Sequence, residues 1–156
     1  KILKIWGTHS ERGYAYGYLM GDAIKDVAEN YVLASVFANS AYVYSFARTY
    51  FLSHFSVEEV YHDEVAGMIA GMQDAGIDLH SSVLGRDIDE TDLLVANSIV
   101  DLSSRNLTAA GLHFGCSGLS SWGTSTQADA DLQGNSVITR NLDWTPDETL
   151  LNNHLL

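Results

Sequence analysis

One cysteine, Cys116, and one proline, Pro146, stand among 156 residues, and only 8 lysines and arginines face 20 aspartates and glutamates. A single thiol excludes an internal disulfide framework and any multi-cysteine zinc site, so Cys116 is either a small packing residue or a reagent. The scarcity of cations and the net charge of -12 oppose binding to phosphate backbones, so nucleic acid is not an expected partner. No apolar run approaches the roughly 20 residues that span a bilayer, which excludes a membrane-spanning helix. With one proline and scattered glycines there is no obvious linker. The six histidines (His9, His54, His62, His80, His113 and His154) form no HExxH or paired metal spacing, so neither a metal nor another cofactor is expected. What remains is a chain with 46% hydrophobic residues, enough for one modest core.

The patterning divides near residue 110. Ile2 to Trp6 alternates like a short strand, and Thr8-His9-Ser10-Glu11 then has capping-box spacing for a long helix. Gly13, Gly17 and Gly21 recur every fourth residue in that helix and so share one stripe. Glycine costs about 1 kcal/mol per helical position relative to alanine, so three in register indicate a close approach, by another helix or by a ligand. Tyr31 to Phe55 continues as helix with a break near Asn39-Ser40. A second capping box, Ser56 to Glu59, opens a helix to about Ala75, where Gly76 supplies a left-handed stop; Gly67 and Gly71 repeat the close-packing spacing. A further helix from Asp89-Glu90 turns Leu93, Leu94, Ile99 and Leu102 inward. Beyond Gly111, near-alternation in Cys116 to Thr124 and Ser136 to Leu142 predicts a strand pair, with Gln127 to Gly134 as its loop and Pro146 as its end.

Chemistry gathers at the ends of that predicted pair. Gly115-Cys116-Ser117 begins the first strand, and Arg140-Asn141-Leu142-Asp143-Trp144 ends the second, so pairing brings a thiol toward a guanidinium and a carboxylate. A free thiol, with a pKa near about 8.5, is only a few per cent thiolate at neutral pH and needs a neighbouring cation or base to act as a nucleophile. An amine on Cys116 would supply that base only after the preceding peptide bond is cut. Arg140 and Asp143 as a purely structural ion pair is the competing reading. Ser117, Ser120 and Ser121 lie in no G-x-S-x-G elbow, which weakens a serine-hydrolase reading, and Trp122 and Trp144 read as packing residues.

The Gly-Cys-Ser and Arg-Asn-Leu-Asp-Trp elements resemble the N-terminal-nucleophile hydrolases of linear amides, which include choloylglycine hydrolases, penicillin V acylases and acid ceramidase. The opening Gly7-Thr8-His9-Ser10-Glu11-Arg12-Gly13-Tyr14 with Gly17 is similar to one branch, the acyl-coenzyme A:6-aminopenicillanic acid acyltransferase family. Glu64 to Gly71 with Asp74, and Asp92-Leu93-Leu94, resemble that branch's next helices. The resemblance implies an α+β protein: a helical propeptide or small subunit over residues 1–115, then, over residues 116–156, the first hairpin of an αββα sandwich. It further implies self-cleavage at Gly115-Cys116, with Cys116 as nucleophile, Asp143 holding the freed amine, and Arg140 favouring the thiolate and placing substrate. The implied substrate is a small N-acyl amide. The implied partner is the remainder of the catalytic domain, as downstream sequence or a second chain, in a homo- or hetero-oligomer.

The hairpin between Cys116 and Arg140 looks longer than in the bile-salt and ceramide enzymes, and the acyltransferases commonly carry another residue at the place of Arg140. A non-catalytic docking or assembly module built on the same fold is the alternative function. Lys1 is not an initiator methionine and Asn106-Leu107-Thr108 fits a glycosylation sequon, a pattern that also arises often by chance. Together these lean toward a secreted or cell-envelope location rather than the cytoplasm.

Overall fold

The computed structural model describes residues 3–108, 114–144 and 147–153, with the side chains of Phe114, Leu142 and Asp143 outside the description. The chain divides into two compact units, Lys1–Leu112 with Pro146–Leu156, and His113–Thr145. Among the described residues helices combine with two small antiparallel sheets of two strands each, an α+β composition. The C-terminal residues 147–153 thus group with the helices and not with the ribbon that precedes them.

In the larger unit, helix α1 (His9–Asp26) begins at Thr8 with the expected reciprocal box: the Glu11 amide donates to Thr8 Oγ1 and the Thr8 amide donates to Glu11 Oε2 at 2.8 Å. A π-helical segment, Val27–Val36, continues it and buries Tyr31, Val32, Leu33 and Val36. The break expected near Asn39-Ser40 occurs there: Asn39 takes a φ of 54°, a left-handed turn that asparagine tolerates. Ser40 then caps helix α2 (Ala41–His54) by accepting from the Val43 amide.

Helix α3 (Glu59–Asp74) departs from expectation at its start. Residues 55–58 lie outside any helix, α3 begins at Glu59, and Glu58 at the cap makes no side-chain capping bond, so the Ser56 box does not form. Such a box contributes only about 1 kcal/mol, too little to set a helix boundary against tertiary packing. Its end is as expected: Gly76 has a φ of 77°, its amide donates to Gln73 O, and the Ile77 amide donates to Met72 O, which closes the last turn.

The glycine stripes meet each other. A Cβ on Gly13 would stand 1.9 Å from Glu64 O, and one on Gly17 2.0 Å from Met68 O. In return, a Cβ on Gly67 would stand 2.3 Å from Ser10 O and one on Gly71 2.1 Å from Tyr14 O. The two backbones are therefore in direct contact, and helix packing explains all four positions.

After α3 come β1 (His80–Ser81) and β2 (Arg86–Asp87), a small hairpin too short to register in the sequence pattern. Helix α4 (Glu90–Asn97) starts from an Asp89 and Asp92 box, and α5 (Ile99–Ser103) follows after a break at Ser98. Leu93, Leu94, Ile99 and Leu102 are buried as expected, with Phe37, Tyr44, Met72 and Val95 completing the centre of the core. A short helix, α6 (Glu148–Asn152), joins this unit through Ser35 Oγ donating to Asp147 Oδ2 at 3.2 Å and Asn153 Nδ2 donating to Asp26 Oδ2 at 2.7 Å. The strand expected over Ile2 to Trp6 is not formed: residues 3–6 carry no strand, and among the described residues no strand pairs with them.

The smaller unit is a ribbon of β3 (Phe114–Ser121) and β4 (Val137–Trp144), antiparallel as expected, in a register that sets Cys116 opposite Leu142 and Gly118 opposite Arg140. The connection is ordered by its own polar groups. Buried Thr126 donates to Asn135 O at 2.9 Å, and Asp129 accepts from the Asp131 and Leu132 amides. Gly134, with a φ of 87°, completes the turn.

Candidate functional site

Strand alternation determines which groups meet on the ribbon. Cys116, Gly118 and Ser120 lie on one face of β3, paired with Leu142, Arg140 and Ile138 of β4. Arg140 is therefore a diagonal neighbour of Cys116, within reach of a long side chain. The position directly opposite Arg140 is Gly118, which has no side chain, so the guanidinium has an open lane along the face to the sulfur. Arg140 Nη2 donates to Cys116 Sγ at 3.0 Å and Nε donates at 3.3 Å. The sulfur thus accepts two N–H bonds from one planar cation.

Both residues are exposed, so a solvent-borne reagent or substrate has access to the sulfur. Arg140 is also the one cation in residues 113–145, a segment that otherwise carries Asp129, Asp131 and Asp143. The arrangement sets a cationic fork against an exposed thiol.

Of the four site residues named from sequence, Cys116 and Arg140 are in contact. Gly115 lies in β3, and its register partner is Asp143, so the backbone at the Gly115-Cys116 bond runs beside that of Asp143. The Asp143 carboxylate lies outside the described residues, and with it the carboxylate side of the expected arrangement. His113 and His154 also lie outside them. Among the described residues no group of histidine, cysteine and acidic side chains is arranged to hold a metal ion, and no helix is long and apolar enough to cross a membrane.

The acidic residues that carried the helical resemblance turn out to join elements together. Glu64 on α3 accepts from or pairs with His9 Nδ1 at 2.8 Å and faces Arg12 at 3.8 Å. Asp74, at the other end of α3, accepts from Tyr14 Oη at 2.9 Å. Buried Asp92 is the centre of a polar cluster that the sequence did not announce. It accepts from Tyr44 Oη, from Arg48, from Arg86 at 2.6 and 2.8 Å, and from the Asp89 amide at 2.8 Å. Asp89 holds the other side of Arg48 through two bonds of 2.8 and 2.9 Å.

Burial pushes the Asp92 carboxyl upward, but the hydrogen bonds from Arg86, Tyr44 and the Asp89 amide, with the Arg48 charge, outweigh burial and hold it below the ordinary aspartate value. Burial and the neighbouring Asp92 charge raise the Tyr44 phenol, keeping it a donor. The sequence signal for this cluster was the Asp89-x-x-Asp92 cap, but nothing local announced that two arginines 38 residues apart converge on it. No protein-family profile, no curated protein and no solved structure matches this chain.

Proposed function

We propose that the chain carries the nucleophile of a self-processing cysteine amide hydrolase or acyltransferase of the N-terminal-nucleophile type. The observation that carries this reading is the exposed Cys116 sulfur under the Nε and Nη2 donors of Arg140. The Arg-Asn-Leu-Asp-Trp run on β4 and the Gly-Cys step on β3 support it by their spacing and register.

In the first step Cys116 Sγ attacks the Gly115 carbonyl carbon, the Gly115-Cys116 C–N bond breaks, and the thiol proton passes to the departing amine. Water then hydrolyses the resulting thioester, freeing the sulfur and leaving Cys116 with an α-amine. A glycine at 115 leaves the carbonyl open to this approach. In turnover the amine takes the thiol proton, the thiolate attacks a linear amide of a small N-acyl substrate, and the proton leaves with the departing amine. Water resolves the acyl-enzyme in a hydrolase, and a second amine resolves it in a transferase. Arg140 compensates the charge on sulfur, and Asp143, whose backbone pairs with that of Gly115, holds the new amine. The four-layer αββα sandwich belongs to this proposal, with the ribbon as its opening pair of strands and the remaining layers supplied by further sequence or another chain.

One observation favours a second reading, a non-catalytic docking module. The ribbon exposes apolar side chains on both faces, Leu119 at 67% on one and Ile138 at 75% on the other. The intact mass of the purified protein separates the two readings. Self-processing predicts a break before Cys116 that is abolished in Cys116→Ala; an unbroken chain with an unreactive thiol favours the docking module.

A further inference from the structure

The sequon Asn106-Leu107-Thr108 has no part in the proposed chemistry, and its setting meets the physical demands of a modification site. Glycan transfer needs an asparagine carboxamide open to solvent, with the hydroxyl residue two positions on, outside any helix or strand. Asn106 is exposed, its side chain makes no hydrogen bond among the described residues, and residues 107–108 lie in neither helix nor strand.

At Asn106 the turn is fixed by backbone bonds. The Asn106 amide donates to Ser103 O at 2.9 Å and the Leu107 amide to Leu102 O at 3.1 Å, which ends α5 with Asn106 in the left-handed region at a φ of 57°. This conformation accounts for a glycine or an asparagine at position 106. It places no requirement on position 108, where Thr108 also makes no side-chain hydrogen bond among the described residues. The helix end therefore explains the asparagine but not the threonine, whereas a glycan acceptor requires both.

We propose that Asn106 is an acceptor for an N-linked glycan when the chain passes through a secretory compartment. In the transfer, the anomeric C–O bond of a lipid-pyrophosphate oligosaccharide breaks and a C–N bond forms to the Asn106 carboxamide nitrogen. That nitrogen loses one proton, and the lipid pyrophosphate is the leaving group. The attachment point lies N-terminal to the Gly115-Cys116 bond, so after any cleavage there the glycan stays with the helical fragment. The inference itself does not depend on that cleavage.

The experiment is export of the protein from a eukaryotic secretory host, followed by intact-mass and peptide analysis of the material recovered from the medium. The expected result is an oligosaccharide mass on the peptide containing Asn106. Amidase deglycosylation should remove it and convert Asn106 to aspartate. Thr108→Ala, which leaves the left-handed asparagine in place, should abolish the modification while the helical circular dichroism of the exported protein stays unchanged. Exported wild-type protein with an unmodified Asn106 would overturn the inference. So would a modification that persists in Thr108→Ala.

Discussion

The helical unit and the ribbon treat charge in opposite ways. In the helical unit two arginines, two aspartates and a tyrosine are drawn into one hydrogen-bonded cluster around a buried carboxylate, and two helices touch backbone to backbone along facing glycines. In the ribbon a single guanidinium is spent on a thiol in the open, and leucine and isoleucine face solvent on either side. A two-stranded ribbon is marginal in isolation, so its residues are not there for local stability. The difference fits a division of labour in which the helices carry the stability and the ribbon, on the proposed function, presents the nucleophile.

The largest effect is expected at Asp92. Asp92→Asn removes the charge that balances Arg48 and Arg86 and should cost about 3 kcal/mol in denaturant unfolding followed by helical circular dichroism. The wild type should also show an acid limb that the variant lacks. Because the folded-state value of Asp92 is depressed, its contribution is complete above the ordinary aspartate range near about 4 and is lost as pH falls through the lower folded-state value. A variant as acid-labile as the wild type would show that other carboxylates control the transition.

Next in size are the glycines. Gly17→Ala and Gly67→Ala improve intrinsic helix propensity, yet each introduces a Cβ within 2.3 Å of a facing carbonyl. Each should lose about 1–3 kcal/mol by the same assay as the helices are forced apart. Gly76→Ala, where nothing crowds the new atom but φ is 77°, should cost about 1 kcal/mol from backbone strain alone. At the small end, Ile138→Ser on the ribbon should change unfolding of the helices by no more than about 0.5 kcal/mol, because that side chain is 75% exposed. A loss as large as that of a core residue would mean that the division of labour is wrong.

How far the sequence revealed this arrangement depended on the range of the interactions. A cap at Thr8, a stop at Gly76 and a helix start at Asp89 were legible over three or four residues, and the glycine spacing foretold a close approach. The π-helical pitch of Val27–Val36 was not legible, since a short apolar run does not separate that pitch from an ordinary helix. The Ser56 box was a local signal that tertiary packing overrode, and the Ile2 to Trp6 alternation found no partner strand among the described residues. The Asp92 cluster was hidden because Arg48 and Arg86 come from α2 and β2, and their meeting is a property of the fold alone. At the candidate site, alternation predicted the strand pair that brings Arg140 toward Cys116. The lane opened by Gly118 became visible only once the register was known.

The second-order rate of Cys116 alkylation by iodoacetamide at neutral pH tests whether Arg140 activates the sulfur. Wild type, Arg140→Ala and Gly118→Val should be compared, with helical circular dichroism as the control for folding. The account predicts that removing the guanidinium, or obstructing its lane, slows alkylation by about three- to tenfold, a discounted value because the pair is exposed. Rates equal to wild type in both variants would mean that Arg140 does not activate the thiol, and would contradict the account.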